Sequence, residues 1–144
     1  MAYYRKSGKR VVESVMGTPG SLGLVGSDVV DEYFYGCPDL SVSDAGPMVN
    51  DKNERLRFAL IGPKKIVDTN TYVTSYPETA RRVLGNNAVI ITAGGGIEAE
   101  VDDLGIVGFE LVQSGESVLQ NGLTVIADNI SMVSLCLVAR SRQL

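Results

Sequence analysis

Short apolar runs alternate with polar, helix-compatible stretches along most of the chain. Val11-Val12-Glu13-Ser14-Val15-Met16 sets Val12, Val15 and Met16 on one helical face, and Gly17-Thr18-Pro19-Gly20 breaks that helix. Leu22-Gly23-Leu24-Val25-Gly26 reads as a short buried strand. A helix over Val29 to Tyr33 follows, with Ser27-Asp28 as its cap and Asp28, Asp31 and Glu32 near its start. Leu40-Ser41-Val42-Ser43 alternates as a strand does, and Asn50-Asp51-Lys52-Asn53 reads as a turn. Leu56 to Gly62 and Asn70 to Thr74 predict two further strands. Ser75 as N-cap, with Pro77 in the first turn, opens a helix that runs to Leu84 and stops at Gly85-Asn86-Asn87. A strand over Ala88 to Thr92 enters Gly94-Gly95-Gly96, and a helix over Ile97 to Val101 leaves it. The apolar run Gly105 to Phe109 predicts a strand, Glu110 to Ser117 a polar turn, and Val118 to Asn121 a short helix ended by Gly122. Leu123 to Arg140 reads as one or two strands with a bend at Asp128-Asn129.

This alternation predicts an α/β fold with a mostly parallel sheet, in which ligands sit at the carboxyl ends of strands. Three strand–turn–helix junctions fall there. The one at Ser27-Asp28 has an acidic first turn, which suits a cap better than a phosphate. At the second, Gly94-Gly95-Gly96 gives either close approach to a ligand or only a tight turn. The third, Ser114-Gly115-Glu116-Ser117, combines two hydroxyl donors with a glycine at a helix start. It can hold an anion through backbone N–H groups, or Ser114 or Ser117 can simply cap the helix.

Composition narrows the chemistry. The chain has 144 residues, 44% hydrophobic and 21% charged, with net charge −4, the size of one domain or two small lobes. The negative balance argues against a nucleic-acid surface, and no apolar run is long enough to span a membrane. The start, Met1 to Lys6, has no apolar signal region, so the cytoplasm is the expected location. The basic residues Arg5, Lys6, Lys9 and Arg10 read as a solvated arm. Cys37 and Cys136 lack metal-ligand spacing and are expected as reduced thiols, Cys136 in the core. Histidine is absent, which removes His-based triads, His metal sites and His acid–base catalysis. Carboxylates, hydroxyls, backbone amides, Lys and Arg remain.

From about Gly20 to Arg140, five motifs in order resemble the catalytic core of the ATP phosphoribosyltransferases of histidine biosynthesis. They are Leu24-Val25-Gly26-Ser27-Asp28-Val29-Val30, Leu60-Ile61-Gly62-Pro63-Lys64, Thr74-Ser75-Tyr76-Pro77-Glu78-Thr79-Ala80-Arg81-Arg82, Gly95-Gly96-Ile97-Glu98, and Glu110 to Ser117 followed by Leu119-Gln120-Asn121-Gly122-Leu123. The resemblance implies a two-lobe fold like that of type II periplasmic binding proteins. Its first lobe would comprise residues 1–57 plus 110–144 and lack a strand, and its second lobe residues 58–109. It implies transfer of phosphoribose from phosphoribosyl pyrophosphate to ATP, with Mg²⁺ and release of pyrophosphate. By the same resemblance, Gln113, Ser114, Gly115, Glu116 and Ser117, with Gly95 and Gly96, would surround the phosphate. Glu98 and Glu110 would lie near the ribose and metal. No protein metal-ligand set is assigned.

The chain departs from that pattern in five ways. The family's first strand and its Pro-Lys-Gly-Arg turn have no counterpart. Ser75 replaces a lysine, Glu110 an aspartate one methylene shorter, and Gln113 an acid or serine. Glu116 puts a carboxylate inside the phosphate turn, where one within ~5 Å of a phosphate costs on the order of 1–3 kcal/mol. An incomplete first lobe leads to the expectation of a homo-oligomer. Three functions follow: a phosphoribosyltransferase, a non-catalytic module that holds a phosphosugar, nucleotide or other small anion, or a structural or partner-binding remnant.

Overall fold

A computed structural model describes residues 7–63, 68–93, 97–120 and 122–141. Its internal contacts divide the chain into two units, one of residues 1–48 and 134–144, the other of residues 49–133.

In the first unit, helix α1 (Gly8–Gly17) and helix α2 (Ser27–Tyr33) lie with strands β1 (Leu22–Gly26), β2 (Leu40–Pro47) and β8 (Ser134–Arg140). The sheet order is β1-β8-β2 and both pairings are antiparallel. Helical spacing puts Val12 and Val15 of α1 inward, where they join Val25, Val30, Leu40, Cys136 and Val138 in one core. Cys136 is buried as expected, and both cysteines are free. Burial, with the charges of Asp44, Asp31 and Asp28 behind it, pushes the Cys136 thiol up from its ordinary value. Strand β1 is only half as buried as its apolar sequence suggests. Val25 is inside, but Leu22 and Leu24 are exposed because they point to the sheet face opposite the core. Helix α2 begins where expected, but its N-cap is Gly26 and no side chain caps it. The Ser27 hydroxyl instead accepts a hydrogen bond from the Ser134 N–H. Lys9 and Arg10, expected in a solvated arm, are exposed on α1, and Lys9 lies over the Tyr33 ring.

The second unit holds strands β3 (Arg57–Gly62), β4 (Asp68–Thr74), β5 (Val89–Thr92), β6 (Ile106–Val112) and β7 (Thr124–Met132). Its helices are α3 (Pro77–Leu84), α4 (Ile97–Leu104) and α5 (Gly115–Gln120). The sheet order is β5-β4-β6-β3-β7. The expected parallel pairing holds for β5-β4-β6, where α3 and α4 make the crossovers. It does not extend further: β3 is antiparallel to both β6 and β7. Because β6 and β7 both pair with β3, residues 110–133 stay with the second unit. By internal contacts the units divide at 48/49 and 133/134, where the family resemblance leads to lobes divided at 57/58 and 109/110.

Ala59, Ile61, Val73, Ile97, Val101, Ile106, Val112, Val118 and Leu123 form the core of this unit. Phe109 is fully buried and stacks on Phe58 with centroids 4.9 Å apart. Two glycines shape the approach to β6. Gly105 takes φ +66° in the turn after α4, a left-handed conformation that favours glycine. Gly108 lets α4 lie close, since a Cβ there would stand 2.8 Å from Val101 Cγ2 and 2.9 Å from Ile97 Cδ1. Helix α3 starts at Pro77, with Tyr76 and not Ser75 at the N-cap. Thr74 Oγ1 accepts from the Tyr76 N–H at 2.9 Å and so shapes the entry to the helix. The last stretch is two strands, but the break falls at Val133. Asp128-Asn129 lies within β7 at a register shift, with Asn129 at φ 53°. Among the described residues, no helix is long and apolar enough to cross a membrane.

Candidate functional site

Strand β6 runs three residues past its apolar run. Glu110, Leu111 and Val112 pair with Ala59, Phe58 and Arg57 of β3, so Glu110 belongs to the strand and not to the turn. Its alternation keeps Phe109 inward, and Glu110 is half-buried with Oε1 accepting the Leu111 N–H at 3.0 Å. The turn proper is Gln113-Ser114, and α5 begins at Gly115, earlier than the expected Val118. Ser114 Oγ accepts the Glu116 N–H at 3.2 Å, so the serine does cap the helix. With six residues in α5 and one of its first N–H groups used by the cap, the helix dipole contributes little.

A cleft of about 380 Å³ opens beside this turn, lined by Asn50, Asp51, Lys52, Leu111, Gln113 and Ser114. Two of the expected phosphate residues, Gln113 and Ser114, thus share a concavity with a segment that the sequence identified only as a turn. Asn50 builds that turn. Its Oδ1 accepts the N–H groups of Lys52 at 3.0 Å and Glu54 at 2.9 Å, and its own N–H donates to the Glu54 carbonyl. Asn53 closes it in a left-handed conformation, φ 63°. Asn50 Nδ2 then reaches across to donate to the Gln113 carbonyl at 3.2 Å. The turn therefore holds Lys52 over the start of α5, where its ammonium lies 3.6 Å from Glu116 Oε2. Glu116 is exposed and faces this cation.

Gly95 and Gly96 lie outside the described residues, as do the side chains of Glu98 and Ser117. The backbone of Glu98 is in the first turn of α4, and Glu110 is not among the residues lining the cleft. Sequence reasoning missed Lys52 and Asn50. The only signal was a lysine inside an Asn-rich turn, and solvated turns of that composition are common. Among the described residues, no group of three or more His, Cys, Asp and Glu is assembled for a metal. Arg81 pairs with Glu78 on the exposed face of α3 and is absent from the cleft lining, which fits a solvated helix face.

Among solved structures, the ATP phosphoribosyl transferase (HisG:HisZ) complex from Thermotoga maritima superposes with TM-score 0.68 at 19% identity, over 92% of this chain and 64% of that one. A protein from Archaeoglobus fulgidus matches with TM-score 0.55 at 12% identity, over 96% of this chain and 56% of that one. The cofactor-binding domain of the Cbl transcriptional regulator matches with TM-score 0.51 at 16% identity, over 96% of this chain and 66% of that one. These likenesses establish the two-unit α/β fold of the type II periplasmic-binding-protein kind. No curated protein matches the sequence. The family model for ATP phosphoribosyltransferase matches residues 8–144, and the chain belongs to that family.

Proposed function

We propose that this chain binds phosphoribosyl pyrophosphate at the Gln113–Ser117 turn and transfers its phosphoribosyl group to ATP. The observation that most supports this reading is the cleft that joins Gln113 and Ser114 to Lys52, within a chain of this family. The hydroxyl of Ser114 and the Lys52 ammonium offer a phosphate one neutral and one charged partner. In the reaction, adenine N1 forms a bond to ribose C1 while the bond from C1 to the pyrophosphate oxygen breaks, and pyrophosphate leaves with that electron pair. The protein supplies position and charge to an oxocarbenium-like ribose, which needs no histidine. Glu98 and Glu110 are proposed to act near the ribose, as the family resemblance implies. Asp51, the carboxylate on the cleft wall, would help hold a Mg²⁺ ion bound with the substrate, and that ion would supply charge neutralisation for the pyrophosphate leaving group.

A second reading is a module that holds a phosphosugar, nucleotide or other anion without catalysis. It is favoured by Ser75, exposed and uncharged where the family resemblance expects lysine. A thermal-shift series with phosphoribosyl pyrophosphate, ATP, AMP and phosphate, with and without Mg²⁺, separates the readings. A ligand at a hundredfold excess over its dissociation constant stabilises the fold by about 2.7 kcal/mol. A shift accompanied by the ultraviolet signature of N1-modified adenine supports transfer. A shift without product supports the module. No shift with any anion leaves the structural remnant.

A further inference from the structure

Arg57 belongs to none of the motifs named above and does not line the cleft, yet its guanidinium joins three parts of the second unit. Nε donates to Asp128 Oδ1 at 3.0 Å and Nη2 to Oδ2 at 3.3 Å, a two-point grip on β7. Nη1 donates to the carbonyl of Arg55 at 3.1 Å and to the carbonyl of Gln113 at 3.3 Å. Gln113 O is the same oxygen that Asn50 Nδ2 approaches at 3.2 Å. One carbonyl at the start of the turn is thus held by two donors, one of them charged and anchored on a neighbouring strand.

We infer that Arg57 is a positioning residue for anion binding at the 113–117 turn, acting by pinning the Gln113 carbonyl. The inference rests on the proposed function. The peptide unit is planar, so a fixed Gln113 C=O fixes the opposite direction of the Ser114 N–H. Once released, this peptide can rotate. A rotated peptide presents a carbonyl oxygen where an N–H stood, and an oxygen there repels a phosphate. Asp128 orients the guanidinium, because two parallel hydrogen bonds fix its plane as well as its charge. A lysine at position 57 keeps the charge opposite Asp128 but has no planar fork to reach both the carboxylate and the carbonyl.

The test compares wild type, Arg57→Lys and Val101→Ala by calorimetric titration with phosphoribosyl pyrophosphate and Mg²⁺, and by the amide spectra of the ligand-free proteins. Val101 is a fully buried residue of α4 and controls for a general loss of stability. Arg57→Lys is expected to bind about tenfold more weakly, with the Ser114 and Gly115 amide resonances shifted or broadened, because a charge-assisted hydrogen bond is lost. Val101→Ala is expected to keep wild-type affinity at a lower melting temperature. Wild-type affinity in Arg57→Lys overturns this inference alone. A wild-type chain that takes up no phosphoribosyl pyrophosphate overturns the proposed function, and this inference with it.

Discussion

The Lys52 ammonium stands 3.6 Å from Oε2 of Glu116, and both side chains are largely in solvent. Such a pair adds little to stability, but it decides what an arriving anion meets. A phosphate bound as proposed would compete with Glu116 for Lys52 and be repelled by the carboxylate it displaces. Lys52→Gln is therefore expected to weaken phosphate binding several-fold. Glu116→Gln is expected to strengthen it by roughly threefold at low salt, and less at high salt because exposed charges are screened. Calorimetric titration with inorganic phosphate at two ionic strengths checks both. Weaker binding in Glu116→Gln would show that the carboxylate helps the site.

The Arg57 guanidinium beside Asp128 holds that carboxyl below its ordinary value, against a smaller opposing effect of burial. A carboxyl whose folded pKa is depressed contributes stability above its unfolded pKa of about 3.9, and loses it as pH falls through the folded value. Asp128→Asn is expected to lower the melting temperature near neutral pH and to flatten its acid dependence below about pH 4. Parallel melting curves of the two proteins down to about pH 3 would contradict this.

Phe109 carries the strand that ends in the candidate site. It is fully buried and lies parallel to Phe58 with an interplanar angle of 1°. Phe109→Ala is expected to cost about 3–5 kcal/mol by lost burial and a residual cavity. Equilibrium denaturation measures this directly, and a loss below about 1 kcal/mol would mean that β6 repacks around the gap.

The sequence made the elements legible where local rules decide them. Glycine and proline stops, and the apolar runs of β1, β3 and β6, are read from neighbours in the chain. Pairing partners are not. Antiparallel β3 looks the same in sequence as a parallel strand, because both are short and apolar. The caps misled for a related reason. Ser27 and Ser75 stand in good cap positions, but Ser27 is engaged by Ser134, more than a hundred residues later, and Thr74 takes the entry to α3. In the candidate site, Ser114 was named through the strand–turn–helix pattern and Gln113 through the family resemblance. Asn50, Lys52 and Arg57 were not, since their links to Gln113 and Glu116 span more than fifty residues and only the folded sheet brings them together.

The first unit carries its own expectation. Leu24 pairs in register with Leu137, and Leu22 extends the same sheet face; all three are exposed. An apolar face of this kind favours association, and the chain is proposed to form a homo-oligomer through it. Sedimentation at micromolar concentration is expected to show a dimer or larger species that Leu24→Lys dissociates. A wild-type monomer would remove the proposal.

The turn at Gln113 to Ser117 is proposed to hold the phosphate of a phosphoribosyl group. Calorimetric titration of phosphoribosyl pyrophosphate with Mg²⁺ into wild type and Gly115→Asp tests it most directly, because the substitution adds a carboxylate at the turn itself. Saturable binding by wild type is expected, with a loss of at least about tenfold in Gly115→Asp at a similar melting temperature. Equal affinity in the two proteins, or no binding by wild type, would contradict it.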